Sequence, residues 1–161
     1  MADPNLDEID LQILERLQNE GRITNVELAT SVGLTAPPCL RRMRGLEDNG
    51  VITSYHAAVD PAKMGYTITV FAMVSLISQA EEDLQAFEAH IEGLPEVREC
   101  YMLNGEIDFI LKVVAKNLQQ FQKFLTSELT SAPNVASVKT SLTIRSAKNL
   151  PGVPIDSGAS A

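Results

Sequence analysis

Three arginines stand within four positions of one short segment of this chain, "TAPPCLRRMRGLEDNG", residues 35–50. Arg41, Arg42 and Arg44 are grouped here although the protein carries a formal net charge of −8. Guanidinium groups form paired hydrogen bonds with phosphate oxygens and with the major-groove edge of guanine. The chemistry that this segment could perform is therefore recognition of duplex DNA. The simpler interpretation of the same arginines is a solvated helix face.

Helical spacing divides residues 35–49 into two sides. The side predicted to pack against other helices carries Cys39, Met43 and Leu46. The opposite side carries the residues predicted to face DNA, with Gly45 beside them: Pro37, Leu40, Arg41 and Arg44. Arg42 falls near the boundary, where its side chain would reach a phosphate or brace the fold.

Two consecutive prolines, Pro37 and Pro38, stand near the predicted start of this helix. The first N–H groups of a helix have no internal acceptor, so prolines at about the second and third positions are tolerated. If Thr35 is the N-cap residue, the N–H groups that its hydroxyl would bond do not exist. We therefore predict that this hydroxyl contacts a phosphate. Ala36 lies beside it in the DNA-facing set, and the prolines offer apolar surface to a thymine methyl group.

The first fifty residues have the hydrophobic spacing of three short helices. Asp7 is placed to cap the first helix, and Thr24 opens a segment with the spacing of a capping box. Gly33 falls in the turn before the third helix. Three short helices with a tight turn between the second and the third predict a helix-turn-helix domain over residues 1–52. The apolar stripe of the first helix is formed by Leu6, Ile9, Ile13 and Leu17.

Beyond residue 52 the hydrophobic period changes to that of strands. Residues 53–66 alternate and then contain turn residues, which predicts a strand linker. Residues 67–146 carry strand and helix patterns in the order β-α-β-β-α-β, the ferredoxin-like arrangement. Residues 147–161 are small, polar and interrupted by proline, so we expect a disordered tail. The predicted class is α+β, with a winged-helix-like helix-turn-helix domain followed by a ferredoxin-like domain.

Composition argues against several other classes of protein. No apolar run reaches the ~20 residues that a membrane span needs, and the acidic N-terminus lacks the order of a secretory signal. Cys39 and Cys100 form neither a disulfide framework nor a zinc cluster, so a cytoplasmic location is expected. His56 and His90 lack metal-ligand neighbours, and no nucleophile–base pair is present. We expect neither an enzyme nor a metal or cofactor.

The order of the motifs resembles the Lrp/AsnC (feast/famine) family of transcription regulators. The resemblance rests on "LDEIDLQILERLQNEGRI", on "ELATSVGLTAPPCLRRMRGLEDNGVI" and on "VDPAKMGY". In the second half, "YMLNGEIDFIL" is similar to the sheet hairpin of the family, with aspartate three positions after glycine. The resemblance covers residues 6–144. The acidic net charge is a departure from many DNA-binding relatives.

The resemblance implies an amino-acid effector, bound beside the hairpin and between dimers. It also implies dimers that form by packing of the second-domain sheets, with four dimers assembling into an octamer. An amino acid carries an ammonium and a carboxylate, and therefore needs an anionic acceptor and N–H donors. Without the resemblance, Asn104-Gly105 is simply a tight turn and Asp108 a residue that bonds that turn. The implied effector-binding residues are Met102, Leu103, Asn104, Gly105, Glu106 and Asp108, joined by Ser137 and Thr140 near the last strand.

The predicted function is sequence-specific transcription regulation, in which a small effector changes oligomeric state and DNA affinity. Two alternatives remain open. The first is an amino-acid-sensing module resembling ACT domains, which acts through protein contacts and has no need of exposed Arg41 and Arg44. The second is an architectural DNA compactor, which binds without sequence preference and without an effector response.

Overall fold

A computed structural model describes residues 6–157 of the chain. The described residues form two units. The helical unit comprises residues 6–58 together with residues 148–157, and the sheet unit comprises residues 59–147. The boundary after residue 58 lies inside the predicted linker, and residues 148–157 return to the helical unit.

The helical unit contains three helices: α1 (Glu8–Asn19), α2 (Asn25–Ser31) and α3 (Ala36–Asp48). Capping boxes begin the first two, because Asp7 and Thr24 each accept a hydrogen bond from the third helical N–H while that residue's side chain bonds back. Gly33, at a φ of 71°, forms the turn between α2 and α3. The core joins all three helices through Ile13, Leu28, Ala29, Val32, Cys39 and Leu46.

The sheet unit has the predicted βαββαβ order. The elements are β1 (Ile68–Leu76), α4 (Glu81–Glu92), β2 (Val97–Met102), β3 (Phe109–Ala115), α5 (Leu118–Phe124) and β4 (Val135–Leu142). The strands pair in the order β2-β3-β1-β4, and all three pairings are antiparallel. Helix α5 continues as a π-helical segment, Leu125–Leu129.

The two faces of the sheet differ in burial. One face lies beneath α4 and α5, and its central residues are fully covered: Val70, Ala72, Val74, Phe109, Leu111 and Val113. Residues between these along the strands point to the other face, because strand side chains alternate. That open face keeps apolar groups accessible, with Phe71 38% and Tyr101 57% exposed. The sheet of a single chain therefore has one covered face and one uncovered face.

The predicted strand linker is not a strand within one chain. Residues 53–60 form neither helix nor strand, and the following residues form a short 3-10 turn, Ala62–Met64, ended by Gly65 at a φ of 84°. The physical reason is that a strand needs a neighbour for its backbone N–H and C=O groups, and the described chain offers none here. Tyr55 instead attaches the linker to α3 by donating its hydroxyl proton to Glu47 Oε1, at 2.8 Å.

The tail also differs from the expected disorder over the described residues 148–157. This segment has no regular secondary structure, yet it belongs to the helical unit and bonds to α1. The amide of Gln18 pairs with the backbone of Val153, an interaction that polar composition does not reveal. The remainder of the predicted disordered tail lies outside the described residues.

Candidate DNA-binding helix and effector hairpin

Helix α3 begins as the two prolines predict. Thr35 is its N-cap, with extended backbone angles, and the Thr35 side chain makes no capping hydrogen bond. Pro37 occupies the second helical position, so the N–H groups that would bond the hydroxyl are absent at this and the next residue. Thr35 is exposed. Its hydroxyl is therefore available to a ligand at the start of α3.

Asn25 holds the start of α3 against α2, a role that the sequence did not indicate. Its side-chain Nδ2 donates a hydrogen bond of 2.9 Å to the backbone oxygen of Ala36. Asn25 is the first residue of α2, directly after the Thr24 cap, so its position alone suggests only an ordinary helix start. The bond fixes the angle between the two helices where α3 would enter a groove.

The predicted DNA-facing side of α3 is accessible. Arg41 and Arg44 are both exposed, and neither has a hydrogen-bond or ion-pair partner within the described part of the chain. Leu40 beside them is 37% exposed. Pro37 is exposed at the start of the same side, and Ala36 is half-buried. The geometry thus brings two unpaired guanidinium groups and a free hydroxyl to one surface.

Arg42 is the exception, because its charge is neutralised inside the domain. Its Nη1 lies 2.7 Å from Asp7 Oδ2 and 2.8 Å from Asp10 Oδ1. These are the two acidic residues of the α1 capping box, so one guanidinium joins the start of α1 to the middle of α3. Of the two roles predicted for Arg42, the structure shows the bracing one, and its contact with DNA stays a prediction.

Arg42→Ala should lower the thermal stability of the helical unit, whereas the matched change Arg41→Ala should not. Hydrogen bonds from Asp10 N–H and Arg42 hold the pKa of Asp7 below its ordinary value of 3.8. A carboxyl with a lowered folded pKa stabilises the fold above its unfolded pKa, and that stabilisation disappears as the pH falls through the folded value. Thermal melts from pH 7 to pH 2 check this, and equal melting temperatures for the two variants at pH 7 would contradict it.

The predicted hairpin joins β2 to β3 through a longer loop than Asn104-Gly105 suggests. Residues 103–108 connect the strands, and Gly105 does not adopt the positive φ of a two-residue type I′ turn. Leu103 N donates to the backbone oxygen of Asp108 at 2.8 Å, which closes the loop. Five of the predicted effector residues are exposed along this loop and its entry: Met102, Leu103, Asn104, Gly105 and Glu106.

Asp108 anchors the loop to β1. Its carboxylate Oδ2 accepts a 2.7 Å hydrogen bond from Leu76 N, and its own N–H donates to Val74 O at 3.0 Å. Asp108 therefore satisfies backbone groups at the end of the neighbouring strand. Its partner is 32 residues away, and no pattern in the sequence identifies that pairing. Glu106, which is exposed, is the acidic side chain of the loop that makes no hydrogen bond or ion pair with residues 6–157.

Ser137 and Thr140 do not share one site within a chain. Ser137 pairs with Ser75 on the open face, whereas Thr140 pairs with Ala72 on the face beneath the helices. An odd separation along a strand places side chains on opposite faces. Ser137 lies toward the end of the sheet where Asp108 meets β1, so it is the one of the two that is closer in register to the hairpin.

An exposed arginine pair on a helix-turn-helix, followed by an antiparallel βαββαβ sheet, defines a DNA-binding protein with a second, sheet-forming domain. Residues 6–53 match the family model of the winged helix-turn-helix DNA-binding domain. Residues 69–153 match the model of the Lrp/AsnC ligand binding domain. The chain belongs to the Lrp/AsnC family of transcriptional regulators, as the motif resemblance predicts.

Individual relatives agree with this assignment. The chain is 51% identical to the leucine-responsive regulatory protein of Rhizobium meliloti over 144 residues, which cover 89% of this chain and 92% of that protein. It is 40% identical to the Bkd operon transcriptional regulator of Pseudomonas aeruginosa over 141 residues, or 88% of this chain and 92% of the relative. The chain is thus a DNA-binding transcriptional regulator.

Solved structures show the same fold. A transcriptional regulator of Neisseria meningitidis in complex with L-Met superposes with a TM-score of 0.90 at 34% identity, covering 94% of this chain and 98% of that one. AsnC of E. coli superposes with a TM-score of 0.81 at 26% identity, covering 89% and 95%. Across residues 6–157, no helix is long and apolar enough to cross a membrane, and no cluster of three or more His, Cys, Asp or Glu side chains could hold a metal ion.

Proposed function

We propose that α3 reads the major groove through Arg41 and Arg44 while the Thr35 hydroxyl binds a phosphate. The observation that carries the proposal is the exposure of both unpaired guanidinium groups on the side of α3 opposite its buried residues. Selection of bound duplexes from a random pool, followed by footprinting, tests it. A recovered consensus supports direct readout by α3. Binding without sequence preference would support the architectural DNA compactor. Absence of DNA binding would support the ACT-like amino-acid sensor.

Thr35→Ala should weaken DNA binding with little change in thermal stability, because the wild-type hydroxyl caps nothing. The matched control is Thr24→Ala at the start of α2, where the hydroxyl accepts from Glu27 N at 3.2 Å. Loss of that N-cap should cost about 1 kcal/mol of folding free energy. Thermal melts and salt-dependent DNA titrations measure both effects. A Thr35→Ala variant that melts earlier but binds normally would refute the phosphate contact.

The effector is an amino acid that binds beside the β2–β3 loop. The family model of a ligand-binding domain and the L-Met complex of the Neisseria regulator support this proposal. Exposed Glu106 offers a carboxylate for the ammonium, and the exposed Asn104-Gly105 backbone offers donors for the carboxylate. Thermal-shift measurements with each of the twenty amino acids identify the ligand. No shift with any of them would remove the support for this proposal.

Glu106→Gln should reduce affinity for the identified amino acid by about tenfold or more, because a charged hydrogen bond contributes about 1.5–3 kcal/mol. Glu92→Gln, an exposed change at the end of α4, is the matched control. Asp108→Ala should instead lower the free energy of unfolding by about 1–3 kcal/mol, since it leaves Leu76 N without its acceptor. Calorimetric titration separates the two effects. Unchanged affinity in Glu106→Gln would exclude it as the ammonium acceptor.

Self-association would complete both the DNA-binding and the effector-binding surfaces. The open sheet face, with accessible Phe71 and Tyr101, needs a cover, and an identical sheet supplies one. The unpaired linker, residues 53–60, would gain a strand partner from a second copy. Four such dimers would form the octamer. Light scattering with and without the amino acid measures the oligomeric state. If the amino acid changes the affinity for DNA, DNA must change the affinity for the amino acid by the same factor.

A further inference from the structure

The C-terminal segment, residues 148–157, forms a specific contact with α1. Gln18 Nε2 donates a 2.9 Å hydrogen bond to Val153 O, and Val153 N donates a 2.9 Å hydrogen bond to Gln18 Oε1. One side-chain amide thus pairs with both backbone groups of one tail residue. Ser157, only 4% exposed, donates its hydroxyl proton to the carboxylate of Glu15, one helical turn earlier on α1.

The backbone of the tail is shaped for this contact. Gly152 has a φ of 63°, and a Cβ built on it would overlap the Gln18 side chain. Any other residue here would have a strained left-handed backbone and a Cβ that overlaps Gln18. Glycine avoids both, because it adopts the left-handed region readily and has no side chain. Pro151 and Pro154 flank the bonded residues and restrict the undocked chain, which reduces the entropy lost on docking. The local sequence is therefore consistent with one docked conformation.

When the tail is docked, the sheet unit is joined to the helical unit at two points along the chain instead of one. The chain enters the sheet unit after residue 58 and returns to the helical unit at residue 148. The tail contacts use Glu15 and Gln18, in the second half of α1, while Arg41 and Arg44 stay exposed with the tail in place. The contact is thus compatible with DNA binding by α3.

We propose that residues 148–157 act as a tether that limits the orientations of the DNA-binding unit and thereby favours operators with two half-sites. The inference rests on the proposed groove reading by α3. Binding of two linked units depends on the effective concentration of the second, which rises when a tether removes orientations that do not match the spacing of the half-sites. A single half-site engages one unit and gains nothing from the tether. Release of the tail should therefore weaken two-site binding selectively.

Docking itself is tested by thermolysin cleavage within residues 149–155, followed by mass spectrometry. Gly152→Ala and Gln18→Ala should each accelerate cleavage by about tenfold, because proteolysis follows the population of the opened segment. Gly93→Ala in the sheet unit is the matched control, since a Cβ there meets only the His90 backbone oxygen, at an ordinary contact distance of 3.6 Å. The double variant Gly152→Ala/Gln18→Ala should be cleaved no faster than the single variants, because both act on one contact. Equal rates in wild type and Gly152→Ala would overturn docking.

The tether is tested with the selected duplex and with the same duplex cut to one half-site. Gly152→Ala should bind the two-site duplex about tenfold more weakly and the half-site equally well. If Gly152→Ala releases the tail but leaves the ratio of the affinities for the two-site and half-site duplexes unchanged, the tether is overturned. Equal weakening on both duplexes would also overturn it, and would point to damage of α1. If the wild type selects no duplex, groove reading by α3 fails, while the cleavage rates still decide whether the tail docks.

Discussion

Arg41→Ala should weaken binding of the selected duplex by about 1–3 kcal/mol and relax the preference at one base pair, because a bidentate arginine–guanine contact discriminates by that amount. Arg44→Ala should either do the same at a neighbouring position or weaken all sequences alike. In the second case Arg44 binds a phosphate, and the salt dependence of the affinity becomes shallower. Both side chains are exposed, and neither has a hydrogen-bond or ion-pair partner among residues 6–157, so truncation removes no such interaction there.

The matched control is Arg145→Ala, an exposed arginine of the sheet unit. It removes the same charge from the chain but not from α3, so it should leave the selected consensus unchanged. Titrations of each variant against the consensus and its single-base variants, at two or more salt concentrations, provide the measurement. Loss of affinity in Arg145→Ala equal to that in Arg41→Ala would assign the effect to net charge and refute readout by α3.

Phe109→Ala should lower the free energy of unfolding of the sheet unit by about 3–5 kcal/mol, the cost of truncating a buried aromatic residue. Phe109 is 1% exposed, and its ring centroid lies 4.8 Å from that of Phe87 on α4. It directly follows the loop that Asp108 anchors. The loss of this packing should therefore also reduce amino-acid binding. Urea unfolding followed by circular dichroism measures the change.

Phe71→Ala is the matched variant on the opposite face of the same sheet. Phe71 is 38% exposed, so its truncation should cost the isolated fold little. If the open face is a dimer interface, Phe71→Ala should instead raise the dissociation constant of the dimer. Sedimentation over a range of protein concentrations provides the measurement. A monomeric wild type, or a dimer that is unaffected by the change, would contradict sheet-to-sheet packing.

Local patterns predicted most of the fold. The Thr24 capping box, the paired prolines of α3 and the alternation of the strands each act over a few residues, and the structure confirms the elements they predict. The strand expected in the linker is absent from residues 53–60, because a strand needs a pairing partner and the alternating pattern alone does not provide one. Residues 148–157 differ from the expected disorder because the side-chain amide of Gln18, distant in sequence, forms hydrogen bonds with the backbone of Val153.

The site residues divide in the same way. Exposure of Arg41 and Arg44 follows from helical spacing, which needs no knowledge of distant contacts. The pairing of Arg42 with Asp10 joins residues 32 positions apart, and so does that of Asp108 with Leu76. Local spacing does not identify such distant partners, and the ligand contacts predicted for Arg42 and Asp108 stay predictions.

The two prolines of α3 also determine what the tip of that helix lacks. A helix start normally presents several amide hydrogens that can cradle an anion. Pro37 and Pro38 carry none, and that of Cys39 is already directed to Thr35 O at 3.3 Å. The start of α3 therefore offers a phosphate the Thr35 hydroxyl and the Ala36 amide hydrogen, fewer backbone donors than an ordinary helix start. With less attraction to phosphate from the backbone, a larger share of the affinity would depend on the base contacts of Arg41 and Arg44, so the prolines would raise sequence selectivity.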